Sequence, residues 1–246
     1  MKSWSGPGRP LRTALRGLAR LAAEALCPPV CAGCLEELDA PGLLCGACRA
    51  ALAPDGAPFC YRCGGSREGR ARHLLQSRCR SRSHRDFRAR CLHWMRFPMP
   101  ALIHQFKYRG VVRLAPAWGA GLGALLGRGG AELVLPVPLH PRALARRGYN
   151  QSALLARAAA RAAGLPCVED ALRRVRRTAT QTRLDPLRRR ANLAGAFEVC
   201  QPAVVRGRRV ALVDDVITTG STLGAASEAL RAAGAARVTA VAVARA

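Results

Sequence analysis

The stretch "VALVDDVITTGST", residues 210–222, runs from four apolar residues into two adjacent acids and then into a short hydroxyl-rich loop. A continuous apolar run is typical of a strand buried in a parallel sheet, and it predicts that Asp214 and Asp215 lie partly solvated at the strand's carboxyl end. Ligands of such sheets bind beyond that end. Gly220 permits a close approach of backbone to ligand, and the amides that open the next helix bind anions. A ribose 5-phosphate fits this combination, since it presents vicinal hydroxyls to the acids and a phosphate to the loop.

The pattern around this stretch alternates between strand-like and helix-like segments from residue 86 onward. Strands are predicted at 88–95, 132–139, 208–216 and 237–244, and helices at 101–110, 114–128, 150–164 and 221–234. Apolar strands joined by helices indicate an α/β fold whose parallel sheet is flanked by helices on both faces.

Composition limits the kind of core and the kind of partner. Half of the 246 residues are apolar but only 4% are aromatic, so the core must consist mainly of Ala, Leu and Val. The net charge is +25, and just two of the 40 basic residues are lysines, Lys2 and Lys107. This arginine excess has two interpretations that can both hold: a GC-rich coding sequence, or a polyanionic partner such as nucleic acid.

The N-terminal segment 9–26 has the pattern of a basic amphipathic helix. It lacks an uninterrupted apolar region, so it is not interpreted as a signal peptide, and no stretch is long and apolar enough to span a membrane. The helix is expected to pack on the protein surface, with a nucleic-acid or membrane-surface contact as the alternative. We therefore expect a cytoplasmic protein with three parts: residues 1–26, a Cys-rich module at 27–85, and an α/β domain at 86–246.

Nine of the eleven cysteines fall between residues 27 and 91. "CAGC" (31–34) and "CGAC" (45–48) form a C-x2-C-x10-C-x2-C pattern, in which two knuckles complete a tetrahedral zinc site. The predicted ligands are Cys31, Cys34, Cys45 and Cys48. The alternatives are disulfides, which do not fit a chain without a secretory signal, and unconnected core thiols.

A second, less regular set of candidate ligands follows. Cys60 and Cys63 form another knuckle, and Cys79 begins a third, but Arg82 stands where its second cysteine would be. Arginine stays protonated and cannot ligate zinc. His84 is the favoured fourth ligand, with His73, Cys91 or a three-ligand site as alternatives. The sequence thus predicts one or two zinc ions, both structural, since neither set has an acid or base placed for hydrolysis.

The stretch at 210–222 resembles the phosphoribosyl pyrophosphate (PRPP) signature of type I phosphoribosyltransferases. Two further stretches, "PVPLHPRALARRGYNQSALLARAAA" (136–160) and "RRTATQTRLDPLRRRANLAGAFEV" (176–199), resemble the ComF family, as do the cysteine knuckles and "LIHQFKYRG" (102–110). The resemblance covers nearly all of residues 26–246 and departs from the family at Arg82. It implies a phosphoribosyltransferase-like α/β domain with an N-terminal zinc ribbon.

The resemblance also implies roles for particular residues. Asp214 and Asp215 would bind the ribose hydroxyls of PRPP, and its 5-phosphate would lie against Thr218, Thr219, Gly220, Ser221 and Thr222. The candidates on the pyrophosphate side are Pro138, Leu139, His140, Arg147, Asn150 and Gln151. A magnesium ion would bridge the ribose oxygens and the pyrophosphate. A mobile catalytic loop is expected within 173–192, with Thr178, Gln181, Arg190 and Asn192 as its candidate residues. The alternative is a solvated basic loop.

Three functions are compatible with these features. The first is a PRPP-binding protein of ComF type, a family associated with natural transformation, whose partners would include single-stranded DNA or competence proteins. The second is a conventional salvage or biosynthetic phosphoribosyltransferase. The third is a single-stranded-DNA-binding protein that uses the fold as a scaffold. The positive charge favours the third function, whereas the scarcity of aromatic stacking residues counts against it.

Overall fold

The computed structural model describes residues 28–52, 88–176 and 195–246. Several sequence-based predictions lie outside these ranges: the helix at 9–26, the second set of zinc ligands (His73, Cys60, Cys63, Cys79 and His84), and the loop residues Thr178, Gln181, Arg190 and Asn192. No described helix has the length and hydropathy needed to cross a membrane.

The described residues form six strands and seven helices. The strands are β1 (Arg88–Trp94), β2 (Leu133–Pro136), β3 (Leu172–Arg174), β4 (Phe197–Val199), β5 (Arg209–Ile217) and β6 (Arg237–Arg245). The helices are α1 (Gly46–Ala51), α2 (Met99–Tyr108), α3 (Leu114–Gly129), α4 (Pro141–Arg147), α5 (Gln151–Ala163), α6 (Pro202–Val205) and α7 (Ser221–Ala232).

Four strands make the parallel sheet that the sequence predicts, in the order β1-β6-β5-β2. Successive side chains of a strand point to opposite faces, so β5 serves two cores. Val210 and Leu212 pack with α7 and the antiparallel pair β3–β4 on one face, while Ala211 and Val213 pack with α2, α3 and α5 on the other. The predicted α/β fold, a parallel sheet flanked by helices, is confirmed.

Small residues let the helices approach closely, which explains how a core with few aromatics is filled. A Cβ on Gly119 of α3 would lie 3.1 Å from the Cβ of Ala158 in α5, and one on Gly123 would lie 2.9 Å from the Cβ of Ala162. Such spacing leaves no room for larger side chains at this helix pair. The Ala and Gly content is therefore part of the packing of α3 on α5.

The predicted strand and helix positions agree with the structure to within a few residues, with one difference that concerns the site. Strand β5 runs one residue past its predicted end, to Ile217, which pairs with Arg245 of β6, whereas the acids were expected at its carboxyl end. Asp214 and Asp215 are therefore inside the strand, as the sixth and seventh of its nine residues. The sequence analysis also missed α4, α6 and the β3–β4 pair, and β3 occupies positions 173–174 that had been given to a loop.

The N-terminal knuckles pack directly on the α/β domain. Ala32 is 7% exposed and belongs to the same apolar cluster as Met99 and Leu102 of α2. A Cβ on Gly33 would lie 3.0 Å from the Cβ of Pro98, the residue that precedes α2. The N-terminal knuckles and the start of α2 thus share a core. The boundary predicted at 85/86 lies outside the described residues and stays a prediction.

Candidate functional site

The two acids of the signature stretch have different environments. Asp215 lies on the strand face shared with Val213, its residue is 3% exposed, and its Oδ2 is 2.7 Å from the Nζ of Lys107 at the end of α2. Asp214 is half-buried, and its side chain points to the opposite face of the strand. The expectation that both carboxylates are partly solvated is wrong for Asp215, because a neighbouring helix covers it and supplies a counter-ion.

The carboxylate of Asp214 is held in one orientation. Its Oδ1 accepts a hydrogen bond from the Oγ of Ser152 at 2.8 Å and another from the backbone N–H of Asp215 at 2.9 Å. Both hydrogen bonds that Asp214 accepts within the described residues end on Oδ1, which leaves Oδ2 without a donor there. A fixed carboxylate with one uncommitted oxygen is suited to accept a hydrogen bond from a ligand hydroxyl.

Burial and the adjacent charge of Asp215 raise the pKa of Asp214 to about 7. The hydrogen bonds from Ser152 and from the backbone, together with the Lys107 ammonium, act in the opposite direction and lower it. Asp214 is therefore a carboxyl group whose charge changes near neutral pH, a property frequent at functional sites.

The loop after β5 leads through a left-handed glycine into the start of a helix. Gly220 is buried and takes φ +77°, a left-handed conformation that favours glycine, and α7 begins at the next residue without a side-chain cap. The hydroxyls of Thr219 and Ser221 lie 2.9 Å apart, Thr218 is exposed, and Thr222 is half-buried in the first turn. The predicted phosphate residues are thus together at a helix N-terminus.

The segment after β2 is held by its own polar residues. Pro138 is buried and Leu139 half-buried, while the Nδ1 of His140 accepts from the N–H of Arg142 at 3.3 Å and caps α4. Asn150 caps α5: its Oδ1 accepts from the N–H of Ser152 at 3.1 Å, and its Nδ2 donates to the carbonyl of Val137 at 3.2 Å. Asn150 therefore fixes the position of Ser152, and through it that of Asp214.

Arg147 and Gln151 join the same segment to the end of α2. Arg147 donates a hydrogen bond to the Oε1 of Gln151, which is 5% exposed, and its guanidinium lies 5.1 Å from the centroid of the Tyr108 ring. The Tyr149 hydroxyl donates to the carbonyl of Phe106. The pyrophosphate-side candidates with polar or cation–π partners among the described residues are thus His140, Arg147, Asn150 and Gln151.

Three residues near the acids were missed by the sequence analysis: Lys107, Ser152 and Arg174. Arg174, at the end of β3, is near enough to Asp214 for that acid to raise its pKa, although burial has the larger effect and lowers it. Its guanidinium also lies 5.7 Å from the centroid of the Phe197 ring. A signal for Lys107 was present, since it is one of just two lysines in a chain dominated by arginine.

The first cysteine set forms one cluster. The Sγ atoms of Cys31, Cys34, Cys45 and Cys48 all lie within 4.8 Å of one another, and those of Cys34 and Cys45 are 3.8 Å apart. A tetrahedron with Zn–S bonds of about 2.3 Å has edges of about 3.8 Å, so the arrangement fits a zinc ion.

Backbone donors around the cluster favour the thiolate of Cys31, the form that binds metal. The N–H groups of Gly33 and Cys45 point at the Cys31 Sγ at 3.4 and 3.3 Å, and the N–H of Cys48 points at the Cys45 Sγ at 3.4 Å. Burial tends to raise the pKa of Cys31, but hydrogen bonds from the backbone of Cys34, Cys45 and Gly33 outweigh it and lower this pKa to about 6. Such N–H···S contacts orient the ligands of metal sites.

Known proteins with similar sequences fit this architecture. The family model for the phosphoribosyl transferase domain matches residues 150–246. Competence protein F of Haemophilus influenzae is 46% identical over 107 residues, which cover 42% of this chain and 45% of that protein. DNA utilization protein YhgH of Escherichia coli O157:H7 is 37% identical over 223 residues, 82% of this chain and 96% of that protein.

A comparison of structures found glutamine PRPP amidotransferase from B. subtilis, complexed with ADP and GMP. It shows 24% identity and a TM-score of 0.37 over 56% of this chain and 30% of that one. The sequence relationship to YhgH extends over nearly the whole of that protein, and the family model matches the C-terminal part of the chain, which carries β5 and its loop. The chain belongs to the ComF family, whose members include competence protein F and the DNA utilization protein YhgH.

Proposed function

We propose that this protein binds a ribose 5-phosphate group, in the form of PRPP, at the carboxyl end of β5. The observation that carries the proposal is the fixed, half-buried carboxylate of Asp214, which precedes a left-handed glycine and an uncapped helix N-terminus in one continuous stretch. A hydroxyl acceptor and a phosphate-binding turn are the two features a ribose 5-phosphate requires. The phosphoribosyl transferase family model, which covers this stretch, supports the proposal.

Each part of the ligand has a proposed partner. Asp214 accepts a hydrogen bond from a ribose hydroxyl, and the loop at 218–222 donates backbone and hydroxyl groups to the 5-phosphate. The segment at 138–147 lies on the side proposed for pyrophosphate, where Arg147 is the cationic candidate. A magnesium ion bound with PRPP would be held by oxygens of the ribose and the pyrophosphate, which are the hard ligands that this ion prefers.

The biological role that we propose is the use of imported DNA, in the cytoplasm. The names of two relatives, a competence protein and a DNA utilization protein, support this role, and one of them is similar over nearly its full length. PRPP would then be a ligand that adjusts DNA utilization, or a substrate whose acceptor remains to be assigned. Single-stranded DNA and competence proteins are the proposed partners.

Calorimetry with PRPP and magnesium tests the proposal, and two further assays separate it from the other functions. Saturable binding supports the proposal. Base-dependent release of pyrophosphate from PRPP would indicate a conventional phosphoribosyltransferase. Salt-sensitive binding of single-stranded DNA, together with no binding of PRPP, would show that the fold is a scaffold and would contradict the proposal.

The affinity for ribose 5-phosphate should depend on pH because Asp214 must be charged to accept well. Its pKa is raised to about 7, so the carboxylate fraction grows, and binding should strengthen, as the pH rises from 6 to 8. The ligand phosphate has a second pKa of about 6, and its ionisation adds a pH dependence of its own to the affinity. The Asp214→Asn variant is the matched control, because its affinity should keep only the pH dependence that comes from the ligand phosphate. Equal pH dependence of the two proteins would contradict the role of Asp214.

Substituting Gly220 by Val should abolish ribose 5-phosphate binding. Gly220 has φ +77° and is buried, and a β-branched residue is a genuine outlier in that conformation. The loop must therefore change shape where it is proposed to meet phosphate. Gly164, which also has a positive φ but is exposed at the far end of α5, provides the control: Gly164→Val strains the backbone outside the proposed ligand site. Calorimetry showing equal loss in both variants would refute a specific role of the 218–222 loop.

A further inference from the structure

Lys107 forms an ion pair with Asp215, and the proposed binding of ribose 5-phosphate does not explain this pair. Its Nζ lies 2.7 Å from the Oδ2 of Asp215, and the exposed fractions of the two side chains are 21% and 4%. The residue belongs to the last turn of α2, directly after the fully buried Phe106. The apolar side of α2 packs on the sheet, and this packing places the Lys107 ammonium beside Asp214 and Asp215.

The identity of this residue is as informative as its position. Two of the chain's 40 basic residues are lysines, so arginine is otherwise the almost universal cation. A lysine ammonium is a compact point charge, whereas the guanidinium is a planar fork that needs more room. The lysine beside Asp215, in a chain whose cations are otherwise almost all arginines, fits a contact made by a compact cation.

The charged surroundings of the pair are few in the described residues. Lys107 approaches from α2 and Arg174 from β3, and the electrostatic effects of both reach Asp214. From α5 the nearest polar group is the uncharged hydroxyl of Ser152, which donates to Asp214. The sheet neighbour of Asp214 on β6 is Ala242, and α7 packs against the sheet with the apolar residues Leu223, Ala226 and Leu230.

Two adjacent carboxylates in a partly buried site compete for protons unless a cation compensates one of them. Here the compensation is unequal, because the ammonium contacts Asp215 directly, while Asp214 has hydrogen bonds from Ser152 and the backbone. We propose that Lys107 is a positioning residue that neutralises Asp215 and thereby leaves Asp214 as the acid of the pair whose charge is available to a ligand.

The proposal gives Asp215 a role other than ribose binding, and its ligand-related part rests on the proposed function. Without Lys107, the charge of Asp215 would act undiminished on Asp214 and favour its protonated form. At neutral pH the protein would then have lost a hydroxyl acceptor at Asp214 through a substitution on a different element. The effect reaches the ligand only through the charge of Asp214, so it depends on pH.

The test follows the titration of the Asp214 carboxyl by carbon-13 NMR in the free full-length protein, with Asp214→Asn used to assign its signal. Lys107→Met should raise the titration midpoint by about one pH unit or more, and Asp215→Asn should lower it by about as much. The double variant Lys107→Met/Asp215→Asn should return the midpoint toward that of the wild type, since a cation and an anion are removed together. Asp215→Asn and the double variant decide the question if Lys107→Met does not fold.

Unchanged midpoints in Asp215→Asn and Lys107→Met would overturn the proposal. They would show that the contact between Lys107 and Asp215 does not act on the charge of Asp214.

Calorimetry with ribose 5-phosphate is the second readout. Lys107→Met should bind more weakly at pH 7 and recover toward wild-type affinity at pH 9, whereas a loss that is the same at both pH values would contradict the proposal. A wild type that binds no ribose 5-phosphate would refute the proposed function, and the ligand-free titration would still decide the role of Lys107.

Discussion

Replacing Cys45 with Ser should remove most of the zinc from the N-terminal cluster and unfold residues 28–52. Cys45 supplies one of the four clustered thiols, its Sγ accepts from the N–H of Cys48 at the start of α1, and its own N–H donates to Cys31. Structural zinc binds zinc-finger peptides with an apparent free energy of about 10–16 kcal/mol. The binding energy lost with one ligand should therefore be larger than the folding free energy of so short a segment. Metal analysis and hydrogen exchange measure the two effects.

Cys200→Ser is the matched control, because Cys200 is an exposed cysteine on the α/β domain and does not belong to the cluster. It should retain full zinc content and wild-type protection of residues 28–52. We also expect Cys45→Ser to increase exchange at the start of α2, since Ala32 shares a core with Met99. Full zinc occupancy in Cys45→Ser would show that the cluster is not the metal site.

Replacing Lys107 with Met should lower the free energy of unfolding by about 3–5 kcal/mol, the cost of breaking a buried ion pair by removing one partner. The reason is that Asp215, whose side chain is 4% exposed, would keep a charge with its ammonium partner removed. Urea denaturation measures the change. Adding Asp215→Asn in the same chain should restore part of the loss, because the uncompensated charge is then removed as well.

Arg157→Met provides a matched control on the surface. The Arg157–Glu169 pair has an N···O distance of 3.2 Å, but its side chains are 55% and 40% exposed. Water and salt screen such a pair, so its loss should cost about 1 kcal/mol or less. Similar losses in Lys107→Met and Arg157→Met would contradict the view that Asp215 is buried with its counter-ion.

The regular elements of the α/β domain could be predicted because their signals are local. The continuous apolar run of β5 and the glycine that ends α5 are visible within a few residues of sequence. Helix α4 was missed because Pro141 follows a proline-containing segment that resembles a turn, although proline is well tolerated in the first turn of a helix. The three-residue strands β3 and β4 are too short to show a period.

The candidate site could be predicted only in part, because its decisive contacts join distant parts of the chain. The acids and the glycine loop are contiguous and were recognised from their residue types. The burial of Asp215 depends on Lys107, and the orientation of Asp214 depends on Ser152, neither of which is near in sequence. The strand periodicity does separate the two acids onto opposite faces, but it does not tell which face is covered by a helix.

The most direct test of the central claim, that Asp214 meets the ribose, is a calorimetric titration of ribose 5-phosphate into the wild type and Asp214→Asn at pH 8. Asparagine retains the shape of the side chain and removes its charge, so circular dichroism should show an unchanged fold. A hydrogen bond to a charged group contributes about 1.5–3 kcal/mol, and the variant should therefore bind about tenfold or more weakly. Equal affinity of the two folded proteins would contradict the assignment of Asp214 as the ribose-binding acid.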